Sequence, residues 1–202
     1  FLPSLIDIAN GTEEGIHTLY ISPLKALAVD IARNLETPVK EMGLDIRIET
    51  RTGDTPQSRR SRIRTRPPHI LLTTPETLEL MLSWPDAASL FSSLRSVIID
   101  EIHTVIGSKR GDLLSLSLAT VRSLAPESQS IGLSATVANA HQLTPLLSPR
   151  PDEVIVFTPQ LEKKIELSVM TTDDDTLPWA GHSALYAMPR IYELLRQNNT
   201  TL

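Results

Sequence analysis

The 202-residue chain contains no cysteine, which excludes disulfides and thiolate metal sites and fits a reducing compartment. Phe, Trp and Tyr together make up only 4% of it, so the core must be aliphatic. No apolar run approaches the roughly 20 residues of a membrane-spanning helix, and no charged-then-apolar signal segment opens the chain. What is present, 41% hydrophobic and 21% charged residues, is ordinary for a globular protein. These absences describe a soluble, intracellular protein of one sizeable domain, or one domain and part of another.

The net charge of −5 argues against a surface basic all over. Its distribution is uneven. Arg51, Arg59, Arg60, Arg62, Arg64 and Arg66 stand against one acid, Asp54, within residues 51–66, a local charge of +5 on an otherwise acidic chain. Such an island fits a localised polyanion contact; the alternative is a solvated, partly flexible loop.

Short β-branched runs at 17–22, 46–52, 69–73, 96–100, 129–134 and 153–157 predict strands, most of them covered on both faces. Residues 46–51 alternate instead, which places that strand nearer an edge. Helical spacing occupies 24–36, 76–83, 112–124 and 138–147, and Phe1, Leu2, Leu5, Ile6 and Ala9 share one helical face. Alternating strands and helices mean right-handed crossovers and an α/β fold with a mainly parallel sheet flanked by helices. Past Phe157, residues 164–169 alternate like a half-exposed strand, 171–182 form a polar, acidic linker, and 183–196 regain helical spacing. With no initiator Met, both ends read as cut from something longer.

The segment with most chemical content is Val97-Ile98-Ile99-Asp100-Glu101-Ile102-His103. A buried strand here delivers two carboxylates to the sheet edge, where a metal-bound phosphate can sit. Taken alone, an acidic pair ending a strand is more often structural. Four further segments accompany it. Ser22-Pro23-Leu24-Lys25 turns from strand into helix, and a helix N-terminus suits an anion. Thr52-Gly53-Asp54-Thr55 is a turn flanked by hydroxyls. Thr74-Pro75-Glu76 opens another helix, with Pro75 in its first position. Gly132-Leu133-Ser134-Ala135-Thr136 ends a strand in small hydroxyl residues. Each has a plain reading as a capped helix or solvated turn.

In this order the five segments resemble the motifs of the first RecA-like motor domain of superfamily 2 DExH helicases, over nearly the whole chain. Ser22 to Asp30, Gly53-Asp54-Thr55-Pro56 and Leu177 to Ser183 resemble the Lhr (large helicase-related) family, including its bacterial ligase-associated type, which is linked to DNA repair. The resemblance implies a RecA-like P-loop NTPase fold with residues 1–170 in the first domain, a linker at 171–182 and the start of a second RecA-like domain at 183–202.

It further implies an ATP-dependent DNA helicase or translocase of the bacterial cytoplasm or nucleoid. Asp100 would hold Mg²⁺, Glu101 would position or deprotonate the attacking water, and His103 would couple the ATP site to other motifs. Ser134 and Thr136 would link hydrolysis to strand separation. Pro23, Leu24, Lys25, Thr52, Gly53, Thr74, Pro75 and Glu76, with Lys109 and Arg110, would line a track for single-stranded or forked DNA, or an RNA–DNA hybrid. Implied protein partners are the second RecA-like domain and repair enzymes such as a DNA ligase.

One departure is large. No Gly-x-x-x-x-Gly-Lys-[Ser/Thr] loop occurs in the 202 residues, and that loop normally cradles the β- and γ-phosphates. The sheet is therefore expected to lack its first, phosphate-loop strand, and these residues alone to be unable to bind or hydrolyse ATP. A non-catalytic nucleic-acid-binding scaffold and a double-strand translocase are the rival readings.

Overall fold

The computed structural model describes residues 1–11, 14–135, 139–158 and 188–198. The chain divides into two compact units, Phe1–Phe157 and Thr158–Leu202. In the first, helix α1 (Leu2–Asn10) precedes strand β1 (Thr18–Ile21) and helix α2 (Lys25–Glu41). There follow β2 (Ile48–Arg51), α3 (Gln57–Thr65), β3 (Ile70–Thr73), α4 (Pro75–Leu82) and α5 (Ala87–Phe91). Then come β4 (Ser96–Ile99), α6 (Lys109–Leu124), β5 (Gln129–Gly132) and the short α7 (Thr144–Leu147). In the second unit the described residues form α8 (Met188–Gln197).

The five strands make one wholly parallel sheet in the order β2-β3-β1-β4-β5. β1 lies at its centre, with Thr18, Leu19, Tyr20 and Ile21 at 1% exposure or less. Period-2 alternation sends Leu19 and Ile21 into one core and Tyr20 into the other. The larger core gathers Leu78 and Met81 of α4, Phe91 of α5, and Leu114, Leu118 and Val121 of α6. The smaller gathers Leu5 of α1 with Ala28, Ala32 and Val39 of α2. Ala28, Ala32, Leu35 and Val39 recur at helical spacing and form the buried stripe of α2. That helix stops at Gly43, whose φ of +66° reverses the chain so that Leu44 N–H bonds the Val39 carbonyl at 3.0 Å. The alternating segment around 46–51 becomes the edge strand β2, as its pattern predicts.

Two expectations require correction. Residues 153–157 form no strand: Pro151–Glu153 is a short 3₁₀ turn, and Ile155 and Phe157 are 93% and 86% exposed. Among the described residues this β-branched run has no hydrogen-bonded strand neighbour. The helix expected over 138–147 is broken into a 3₁₀ turn at Ala140–Gln142 and the four-residue α7, entered through Pro145. Conversely, the arginine island is not one loop: Arg51 ends β2, and Arg59, Arg60, Arg62 and Arg64 lie on helix α3. Ile63 is its sole buried residue, so it carries no apolar period to betray it. The expected strand at 164–169 and linker at 171–182 lie outside the described residues.

α6 packs against α4 through Leu114 and Leu118 in the larger core, and Ser117 Oγ donates to Glu79 Oε2 at 2.7 Å. Its first turn approaches the loop after the acidic motif very closely. A Cβ on Gly111 would lie 2.2 Å from the Val105 carbonyl oxygen. Backbone on both sides leaves little room to yield, so Gly111→Ala is expected to destabilise the unit by about 1–3 kcal/mol, checked by denaturant unfolding.

Candidate functional site

Asp100 continues the β4 ladder, its N–H bonding the Ile21 carbonyl at 2.9 Å. The chain then breaks out of the sheet. Glu101 has φ +47° and ψ +39°, and among the described residues it is the one non-glycine with positive φ. This left-handed conformation is held from both sides. Glu101 N–H donates to Asp100 Oδ1 at 2.9 Å, while Thr104 N–H and Oγ1 both donate to the Glu101 carbonyl at 2.8 Å. Ile102 N–H bonds the Leu133 carbonyl at 3.0 Å and ties the turn to the end of β5.

The second Asp100 oxygen, Oδ2, accepts a hydrogen bond from the Tyr20 hydroxyl. Tyr20 is 1% exposed and packs against Phe1 with ring centroids 5.3 Å apart. Burial first, and then the adjacent Asp100 carboxylate, push the phenol well above its ordinary value, so it stays protonated and remains a donor. Beside it, Glu101 Oε2 lies 3.4 Å from His103 Nδ1, which lies 3.0 Å from Ser134 Oγ. A polar relay therefore runs from the end of β4 to the end of β5. Thr136 lies outside the described residues.

Asp100 suits Mg²⁺ of one particular kind of site. No cluster of three or more His, Asp or Glu capable of caging an ion exists among the described residues. A half-exposed carboxylate, already accepting two hydrogen bonds, fits an ion that keeps its waters and takes its other ligands from phosphates.

The residues expected to contact nucleic acid sit on the other part of the same edge. Pro23, Leu24 and Lys25 follow β1, Thr52 and Gly53 follow β2, and Thr74, Pro75 and Glu76 follow β3. Pro23, Thr52, Thr74 and Pro75 are buried. Their hydroxyls and amides shape the turns: Thr52 N–H donates to Thr55 Oγ1 at 2.8 Å, and the Thr74 and Thr77 hydroxyls lie 3.1 Å apart. Leu24, Lys25, Gly53 and Glu76 face solvent. Lys25 Nζ pairs with Asp54 at 3.0 Å, joining the start of α2 to the β2 turn. The groove there, about 450 Å³, is lined by Lys25, Asp30, Thr52, Asp54, Thr55 and Arg59 among others.

Lys109 and Arg110 open α6, where Ser108 caps the helix by accepting from Gly111 N–H at 3.2 Å. Arg110 forks onto Glu76, with Nε–Oε1 at 2.5 Å and Nη2–Oε2 at 3.1 Å. Burial is the largest single influence and pushes the Glu76 carboxyl up, but the hydrogen bond and charge of Arg110, with hydrogen bonds from the Glu76 backbone and Thr74, together hold the group below the usual carboxylate range. Sequence reasoning did not find Tyr20 or the role of Asp54. A tyrosine inside a buried strand was the available signal, since its hydroxyl must find a partner.

The DEAD/DEAH box helicase profile matches residues 1–143, and the chain belongs to that family. Within it, the chain is similar to proteins that carry the Lhr name. It is 38% identical over 208 residues to the ATP-dependent helicase Lhr-Core of Methanothermobacter thermautotrophicus, across 94% of this chain and 24% of that protein. It is 42% identical over 170 residues to the Lhr helicase/uracil glycosylase of Escherichia coli, across 77% and 11%. The structure of Mycobacterium smegmatis helicase Lhr bound to ssDNA and AMP-PNP superposes with a TM-score of 0.75 at 38% identity, across 99% of this chain and 27% of that one. The expected fold is borne out: a parallel sheet flanked by helices, of the RecA-like helicase kind. The chain spans about a quarter or less of the length of these curated relatives.

A left-handed conformation costs a non-glycine residue roughly 1 kcal/mol or more. Glu101→Gly is therefore expected to raise the unfolding free energy by about 1 kcal/mol while removing the carboxylate. Equilibrium denaturation reads this directly, and a loss of stability would show that the Glu101 side chain holds the turn.

Proposed function

We propose that the chain is the part of an ATP-dependent helicase motor that holds Mg²⁺ and the attacking water and carries part of the strand track. One observation carries this reading. The Asp100–Glu101–His103–Ser134 relay and the solvent-facing Lys25 groove occupy adjoining stretches of a single sheet edge. Asp100 would hold Mg²⁺ through water, and Glu101 would orient the water. Mg²⁺ supplies charge neutralisation for phosphoryl transfer when bound. Lys25, Gly53 and Glu76, with Lys109 and Arg110, would lie along a single strand held mainly through its backbone. The M. smegmatis structure, described as bound to ssDNA and AMP-PNP, supports both halves of the reading by likeness.

The residues present fit the Mg²⁺ and water part of such a site. They do not fit its phosphate cradle, because the chain contains no Gly-x-x-x-x-Gly-Lys-[Ser/Thr] segment. These 202 residues alone are accordingly inert toward ATP in this reading. The domain division at 171–182, the pairing with a second RecA-like domain and the ligase-associated subtype with its repair partners rest on sequence resemblance. A cytoplasmic location accords with the described helices, none of which is long and apolar enough to cross a membrane.

The test is MgATP hydrolysis and forked-duplex unwinding by the full-length protein, with and without single-stranded DNA. Strand-stimulated hydrolysis with unwinding is the expected result. Hydrolysis without strand separation would favour a translocase, and strand binding without hydrolysis a scaffold. Turnover by the 202 residues alone, abolished by Glu101→Gln, would overturn the assignment of an incomplete ATP site.

A further inference from the structure

Helix α3 turns the arginine island into a surface with two distinct faces. Gln57, Arg60, Ser61 and Arg64 recur at i, i+3, i+4 and i+7, so they share one face. That face, with Arg51 and Trp84, lines a cavity of about 210 Å³. The face is open to solvent at Gln57, Ser61 and Arg64, and the cavity is walled by three guanidinium groups, an amide, a hydroxyl and an indole.

The arginines are not equivalent. Arg64 is satisfied, forking onto Asp86 at 2.9 and 3.1 Å with its guanidinium 5.1 Å from the Trp84 ring centroid. Arg62 points its charge elsewhere, pairing with Glu49. Arg60 has no carboxylate partner among the described residues. Its Nε and Nη2 donate to the carbonyls of Thr55 at 2.7 Å and Gly53 at 2.8 Å. Arg51 is the anomaly. It is 4% exposed, Nη1 donates to its neighbour's carbonyl, Thr52 O, at 2.5 Å, and its buried Nε has no hydrogen-bond partner among the described residues. A buried guanidinium with an unpaired donor is costly unless an anion completes it. Burial, and then the nearby Arg60, make that guanidinium shed its proton more readily than usual, and a negative ligand would relieve both effects.

We infer that the Arg51–Arg60–Gln57–Ser61 cavity is a binding site for one phosphodiester group of the nucleic-acid strand. Arg51 and Arg60 supply the charge, and Gln57 and Ser61 supply neutral donors at the rim. The volume falls below the range of pockets that enclose drug-sized molecules, so it suits an oxyanion rather than a nucleotide. Arg60 also holds the Gly53 and Thr55 carbonyls of the β2 turn, which sets the cavity directly beside the Lys25 groove. The identity of the ligand as a strand rests on the function proposed above; the oxyanion chemistry does not.

Two measurements on the full-length protein test it. In the first, single-stranded DNA affinity is followed against salt. Each phosphate contact adds about 0.7 to the slope of log affinity against log salt. Arg51→Gln should therefore flatten the slope by about 0.7. Gln57→Glu, at an exposed position where folding is not at stake, should weaken binding by setting a carboxylate at the rim. Arg66→Gln, in the same island but off the cavity, should leave the slope unchanged. An unchanged slope in Arg51→Gln together with unchanged affinity in Gln57→Glu, in a protein that still binds DNA, overturns the site while leaving the proposed function standing. An equal flattening by Arg66→Gln overturns it in favour of diffuse charge. In the second, the melting temperature is compared in inorganic phosphate and in chloride at equal ionic strength. The parent should gain an increment that Arg51→Gln and Gln57→Glu both lack, and the same increment in all three proteins overturns the site. A phosphate increment in a protein that fails to bind DNA overturns the strand as ligand.

Discussion

Everything at the functional edge depends on the register of one buried strand. β1 pairs with β3 on one side and β4 on the other, Ile21 lying opposite both Thr73 and Ile99. The three strands therefore end level, and their successors Ser22, Thr74 and Asp100 emerge in a row. A one-residue slip of β1 would exchange Tyr20 with Leu19 and Ile21 between the two cores, burying a phenol against Leu78 and Met81 and taking the donor from Asp100. The register is thus secured by the cost of an unsatisfied hydroxyl as well as by aliphatic burial.

From this row the edge divides. Toward β5, the groups are carboxylates, an imidazole and a hydroxyl, linked by contacts of 3.0 to 3.4 Å. Toward β2, they are Lys25, the β2 turn and the arginine-bearing α3. The two parts are joined mechanically. The turn after Asp100 runs into Val105, and the Gly111 backbone presses against its carbonyl. One residue earlier, Arg110 grips Glu76 at the start of α4. A shift of the acidic turn would therefore be felt by α6 and, through Arg110, by the start of α4. Under the proposed function, that contact would connect the hydrolytic and the strand-holding parts.

Much of this was legible in the chain, for identifiable reasons. The strands at 70–73 and 96–99 announce themselves as continuous β-branched or leucine-rich runs, and 48–51 as an alternating edge. Pro75 marks a helix start, whereas the close approach at Gly111 shows only in the fold. Helix α3 was not legible, because its single buried apolar residue, Ile63, leaves no periodicity to read. The run at 153–157 misled, because β-propensity says nothing of whether a neighbouring strand is present to pair with. The five motifs all fall at the ends of the parallel strands, on one sheet edge, but they concealed how that edge is held. Tyr20 reaches Asp100 from 80 residues away in sequence, and Asp54 meets Lys25 across 29. Such pairs arise only once the register has been set.

The central claim is the division of the edge into a hydrolytic part and a strand-holding part. It is tested most directly by measuring ATP hydrolysis and single-stranded DNA affinity in parallel on Glu101→Gln and Lys25→Gln variants of the full-length protein. The account requires a double dissociation. Glu101→Gln should lose hydrolysis by about 10²-fold or more while keeping its DNA affinity. Lys25→Gln should lose DNA affinity while keeping its strand-independent hydrolysis. If Glu101→Gln hydrolyses ATP normally, or if either variant loses both properties together, the division is wrong.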